Sequence, residues 1–125
     1  MSQPYVLQIA SQRTQWLSAR ESLIAGNVAN ANTPGYRATD LQPFAAVLDS
    51  TQVSMTTTNP AHITPTQDEL TSARVVENDA SDQTLSGNSV HLEQEMIKLG
   101  DVNRDYSMST NIKRAIHQMM MSALK

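Results

Sequence analysis

Apolar pairs recur every seven residues near the start of the chain: Ile9 and Ala10, Trp16 and Leu17, Leu23 and Ile24, with Ala31 continuing the second track. A stripe two residues wide at that spacing marks one face of a helix. Pro4 suits a first helical turn, no proline follows before Pro34, and Thr33-Pro34-Gly35 stops the helix. The pattern predicts a helix from about residue 4 to about residue 30.

The other end repeats the design. Leu92, Met96, Leu99, Val102, Tyr106, Ser109, Ile112, Ile116, Met119 and Ala123 step by three or four throughout, a mean close to the period of a coiled-coil seam. Asn88 or Ser89 is the expected N-cap. Glu93 and Glu95 then lie near the positive end of the helix dipole, and Lys113, Arg114 and Lys125 toward the negative end. A continuous helix from about residue 89 to about residue 123 would be roughly 50 Å long. Its expected weak point is Gly100-Asp101, where glycine costs about 1 kcal/mol relative to alanine.

Between these ends the chain changes character. Residues 37–87 carry three of the five prolines (Pro43, Pro60, Pro65), a Thr/Ser-rich run from Ser50 to Thr58, and little apolar periodicity after Leu48. They read as loop or short strands. Charge divides the chain in the same way: residues 1–36 sum to +1, residues 37–87 to −5 and residues 88–125 to +1. The expected fold is therefore mainly α, with long N- and C-terminal helices paired as an antiparallel coiled coil and an irregular or short-β middle segment. Residues 1–36 and 88–125 would form a discontinuous inner helical domain, and residues 37–87 an extended loop or β-hairpin. Ile9, Trp16, Leu17, Leu23, Ile24, Leu92, Met96, Leu99, Tyr106, Ile112, Ile116 and Met119 are the expected packing residues. A lone helix pair buries too little apolar surface to offset chain ordering comfortably, so neighbouring subunits are expected to cover what remains.

Composition sharpens this. At 125 residues the chain is one small domain, and with 4% aromatic residues it lacks the bulky side chains that fill a compact core. A net charge of −3 and the lack of any basic cluster argue against nucleic acid or an anionic membrane as partner. With no cysteine there is no disulfide, thiolate nucleophile or thiolate-held zinc. No cleavable signal peptide and no bilayer-spanning run are visible, so the expectation is a soluble protein that is cytoplasmic or exported by a route that reads no such signal.

Candidate chemistry is sparse. Of His62, His91 and His117, only His91 has a carboxylate on its own helical face, Glu95, and two ligands are too few for a stable metal site. His62 follows Pro60 with no nucleophile near it, no Gly-x-Ser-x-Gly elbow occurs, and the four glycines are scattered. No catalytic, cofactor or metal site is assigned, and the chain is expected not to be an enzyme. Met119, Met120 and Met121 suit an adaptable partner surface or a helix core. Arg13, Arg20 and Arg104 are solvated, or else pair with acids of a neighbouring subunit or face a lumen.

The segment Asn27-Val28-Ala29-Asn30-Ala31-Asn32-Thr33-Pro34-Gly35-Tyr36-Arg37 ends the first helix. Asparagine tolerates the left-handed backbone of a helix end, Thr-Pro forces an extended step, and Pro-Gly makes a turn. An ordinary helix stop accounts for Pro34 and Gly35 but not for three asparagines beside a tyrosine and a basic residue. The segment closely resembles the signature of the bacterial flagellar rod, hook and hook-cap-associated axial proteins, through Asn27, Asn30, Thr33, Pro34, Gly35, Tyr36 and Arg37. Asp40 to Phe44, Met55 to Thr58 leading to His62-Ile63, and Gly87 to Met96 are similar to the proximal rod proteins of that family. Ser89-Val90-His91 departs from that pattern, which has a second asparagine after Val90.

The resemblance implies a structural subunit of the flagellar basal-body rod, exported through the flagellar type III apparatus to the periplasm, its terminal helices lining a channel. It implies as partners copies of itself, rod proteins of the FlgC, FlgF and FlgG types, the basal-body adapter FliE and the export apparatus. FlgC shares the N-terminal motif and is the sister reading. A helical adaptor that binds a partner through an apolar groove is the reading from a different class.

Overall fold

The computed structural model describes residues 5–51, 74–77 and 84–124. His62, most of the Thr/Ser-rich run, the Met55–Thr58 stretch and most of the middle segment lie outside the described residues. Five elements follow in order: α1 (Tyr5–Ala29), β1 (Thr39–Leu41), α2 (Phe44–Thr51), β2 (Val75–Glu77) and α3 (Leu92–Ala123).

The two long helices occupy the predicted ground within a few residues. They pack side by side, and their contacts advance along one as they retreat along the other: Asn27 meets Glu95, and Arg13 meets Asp105. Trp16, Leu17 and Ile24 of α1 and Val102 of α3 are buried, and Leu99 packs against them. Gly100 lies inside α3, which continues through it; the expected weak point does not interrupt the helix. No helix among the described residues is long and apolar enough to cross a membrane.

The middle segment departs from expectation by containing a helix. Phe44-Ala45-Ala46-Val47-Leu48 is an unbroken apolar run directly after Pro43, whose carbonyl accepts hydrogen bonds from the Ala46 and Val47 amides. The resulting α2 covers α1: the Phe44 ring lies 6.0 Å from that of Trp16, tilted by 56°, and Trp16 Nε1 donates to the Gln42 carbonyl at 2.9 Å. The Arg13 guanidinium caps this aromatic pair at 4.9 and 5.1 Å from the two ring centroids, a geometry that favours cation–π attraction.

β1 and β2 pair antiparallel, with Thr39 opposite Glu77, Asp40 opposite Val76 and Leu41 opposite Val75. The Gln42 amide adds a bond to the Arg74 carbonyl. Leu41 turns into the helical core, whereas β2 is exposed along its length. The ribbon fixes where the chain leaves α1.

Candidate functional site

The asparagine-rich segment does more than stop a helix. Asn27, in the last full turn of α1, is 0% exposed and uses both ends of its amide. Its Nδ2 donates to the Thr39 carbonyl at 2.8 Å and to Glu95 Oε2 at 3.0 Å. Its Oδ1 accepts from the Thr39 amide at 3.0 Å, and the Tyr36 hydroxyl lies 3.5 Å from the same oxygen. A single side chain thus ties the end of α1 to β1 and to the first turn of α3. Asn30 Nδ2 donates back to the Gly26 carbonyl, and Thr33 Oγ1 donates to Asn30 Oδ1. Gly35 sits at φ +71°, a backbone that only glycine adopts without strain. Pro34 is exposed, and Arg37 reaches Glu77 of β2 at 3.6 Å on the surface.

The segment closes against residues 84–90. The Gly35 amide donates to the Ser86 carbonyl, the Ser89 amide to the Tyr36 carbonyl, and the Ala38 amide to Ser89 Oγ. Asn88 Nδ2 faces the carbonyls of Asn30, Ala31 and Thr33 at 2.9, 2.9 and 2.8 Å, while its Oδ1 accepts from the Val90 amide at 2.7 Å. This corrects the expected cap of α3. His91 holds the N-cap position without a side-chain capping bond, because Asn88 is spent on the carbonyls of the turn that follows α1 and Ser89 on Ala38. Sequence proximity to α3 suggested the wrong helix end.

Four charged groups flank this junction. Arg20 grips Asp40 through two bonds of 2.9 and 3.1 Å. Lys98 Nζ lies 3.7 Å from Asp40 Oδ2 and 2.8 Å from Glu95 Oε1. Glu95 is 2% exposed, so its carboxylate depends on Lys98 and Asn27 for the hydrogen bonds that water would otherwise supply. Among the described residues, no buried side-chain nitrogen or oxygen is left without a partner.

Burial by itself would raise the Asp40 carboxyl, but the Arg20 bonds, the Leu41 amide and the charges of Arg20 and Lys98 outweigh it and hold the group below the usual carboxylate range. The Asp40 hydrogen bond likewise holds Arg20 above its ordinary value. Because Asp40 is depressed in the folded state, its contribution is complete above the unfolded value of about 4 and is lost as pH falls through the folded one. Asp40→Asn should lower stability by about 1–3 kcal/mol at pH 7. Urea midpoints should show that gap narrowing on acidification toward pH 3; an equal gap at both pH values would mean the ionised form does not hold Arg20.

The other expected site residues divide. Trp16, Leu17 and Ile24 are in the core, Ile9, Leu23 and Leu99 pack on its edge, and Ile116 is half-buried. Leu92, Met96, Tyr106, Ile112 and Met119 are exposed in the single chain. Arg13 and Arg20 pair within the chain, with Asp105 and Asp40, and Arg104 pairs on the surface with Asp101. Asp40, Glu95 and Lys98 were not singled out as a cluster. Glu95 carried the one available signal, an acid on the same helical face as the apolar residues Leu99 and Val102. Among the described residues, no three His, Asp or Glu side chains are grouped to hold a metal ion. The arrangement positions chain segments and offers no reacting group.

Comparison with known proteins fits such a role. Residues 7–37 match the family described as "Flagella basal body rod protein", which spans α1 and the turn after it. The flagellar basal body rod protein FlgB of Agrobacterium fabrum is 40% identical over 125 aligned residues, covering 96% of this chain and 92% of the relative. The proteins of the same name from Escherichia coli K12 and Salmonella typhimurium are 33% and 31% identical over 116 residues, covering 85% of this chain and 83% of each relative.

Proposed function

Because the chain belongs to the flagellar basal body rod protein family, we infer that it is a proximal rod subunit that assembles helically with other rod proteins into a hollow, torque-transmitting shaft. Family membership makes it a structural, non-enzymatic component of the basal body that associates with other basal-body components. The near full-length likeness to FlgB proteins carries the finer reading. The fold supports it through a 32-residue helix, α3, with apolar residues at both ends that α1 leaves uncovered.

In this reading, residues 1–36 and 88–125 form an inner domain whose helices pair as an antiparallel coiled coil around a channel. Residues 37–87 project outward. Copies of the same chain, rod proteins of the FlgC, FlgF and FlgG types and the adapter FliE cover the exposed strips of α3. The subunit reaches the periplasm through the flagellar type III apparatus. Asn27 to Arg37 fix the direction in which the middle segment leaves the inner helix.

The test is Pro34→Ala with Gly35→Ala. Alanine at position 34 removes the block to helix continuation, and alanine at position 35 strains a backbone at positive φ by roughly 1 kcal/mol. Cells carrying the double variant should lose motility, and isolated basal bodies should lack the subunit. Normal motility with normal rod incorporation would refute the role given to this segment.

A further inference from the structure

We propose that the asparagine motif is one half of a two-part latch whose other half is Asn88, Ser89 and Glu95, so that the exit from α1 acquires its fixed direction only when the C-terminal third of the chain docks. Local turns satisfy their own backbone, and this one does so only in part, through the Thr33 amide on the Asn30 carbonyl and the Tyr36 amide on the Thr33 carbonyl. The carbonyls of Asn30, Ala31 and Thr33 share the amide of Asn88, more than fifty residues away. The Gly35 amide depends on Ser86, the Ala38 amide on Ser89, and the buried Asn27 amide divides its donors between Thr39 and Glu95.

Both halves carry a glycine in the left-handed region, Gly35 at +71° and Gly87 at +76°. The two approach closely: a Cβ on Gly87 would lie 3.6 Å from the Gly35 Cα. Two turns that need positive φ are therefore seated against each other, and each is braced by the other's backbone. The bonds that make this closure lie within one chain.

The latch sets an order of events. A chain produced or delivered from its amino terminus has the whole motif present while Glu95, the distant partner of Asn27, the acceptors of the Gly35 and Ala38 amides, and the Asn88 donor to the turn carbonyls are still missing. Burying the Asn27 side chain and the Ala38 amide without these partners is unfavourable, so the junction stays open and hydrated until residues 86–95 arrive. The device delays closure of the inner unit to the last third of the chain and ties the direction of the middle segment to the docking of α3.

Hydrogen exchange on the full-length chain tests the coupling. Asn88→Asp keeps the oxygen that accepts from Val90 but removes the donors to the carbonyls of Asn30, Ala31 and Thr33 and places a negative charge beside them. The amides of Gly35 and Thr39 should then exchange about tenfold faster or more, although neither is bonded to residue 88 itself. Ser89→Ala, which loses the single bond from the Ala38 amide, should raise exchange at Ala38 and Thr39 to a smaller degree, and it carries the comparison if the aspartate variant does not fold. Unchanged protection at Gly35 and Thr39 in folded variants, with faster exchange confined to residues 88–92, would overturn the latch and leave a self-sufficient turn.

Discussion

Asn27→Ala should destabilise the chain by about 3–5 kcal/mol, a large fraction of the total stability of a domain this size. The truncation removes little volume, so the loss comes from what is stranded. Glu95, 2% exposed, loses its Asn27 donor and keeps only Lys98. The Thr39 amide and carbonyl lose their partners in the same step. A buried carboxylate oxygen and a backbone amide and carbonyl left without partners cost more than the bonds they made. Asn30→Ala is the contrast: Asn30 is half-buried and its Nδ2 bonds the Gly26 carbonyl, so its loss should cost about 1 kcal/mol. Urea unfolding followed through Trp16 fluorescence measures both. Equal and small losses would show that water reaches Glu95 and that Asn27 is an ordinary helix-end residue.

The contrast also marks what the sequence could tell. The outline of both helices was legible because periodicity and proline placement are local signals, and α1 and α3 end within a few residues of where they point. The motif was legible as a helix exit for the same reason. Its partners were not, because Asn88 and Glu95 act across more than fifty positions and their residue types suit other roles equally well. An asparagine before a helix reads as its cap, and Asn88 instead braces the turn that follows α1. The α2 helix was missed because one apolar face spread over eight residues, next to a proline, looks like the start of a loop.

The apolar stripe of α3 packs on α1 at Leu99 and Val102 and stays exposed at Leu92, Met96, Ile112 and Met119. Its period near 3.5 drifts by about 20° per heptad on a straight helix, so over roughly four heptads it winds about 80° around α3. α1 meets this helix at Glu95, Val102 and Ser109, which keep the same seven-residue spacing. At about 100° per residue Met96 lies about 120° to one side of Val102 and Met119 about 100° to the other, so the stripe begins to one side of α1 at Leu92 and Met96, crosses it at Leu99, Val102 and Ser109, and leaves on the other side at Ile112 and Met119. Its exposed ends face in different directions, which is what a helix needs in order to meet more than one neighbour.

That geometry sets the second large effect. Met96 and Met119 are 60% and 61% exposed, so Met96→Glu and Met119→Glu should leave helix content unchanged and shift the stability of the isolated chain by no more than about 0.5 kcal/mol. In the assembled rod the same glutamates would be buried unpaired, a cost of several kcal/mol per contact repeated at every copy. Motility should be abolished and the subunit should be missing from isolated basal bodies. Val102→Glu provides the opposite result: at 1% exposure within the chain's own seam, it should unfold the isolated protein before assembly is ever attempted. The decisive comparison is between circular dichroism of the purified variants and their presence in basal bodies. If the methionine variants incorporate normally, the uncovered strips of α3 are not contact surfaces and α1 is the only helix that α3 needs.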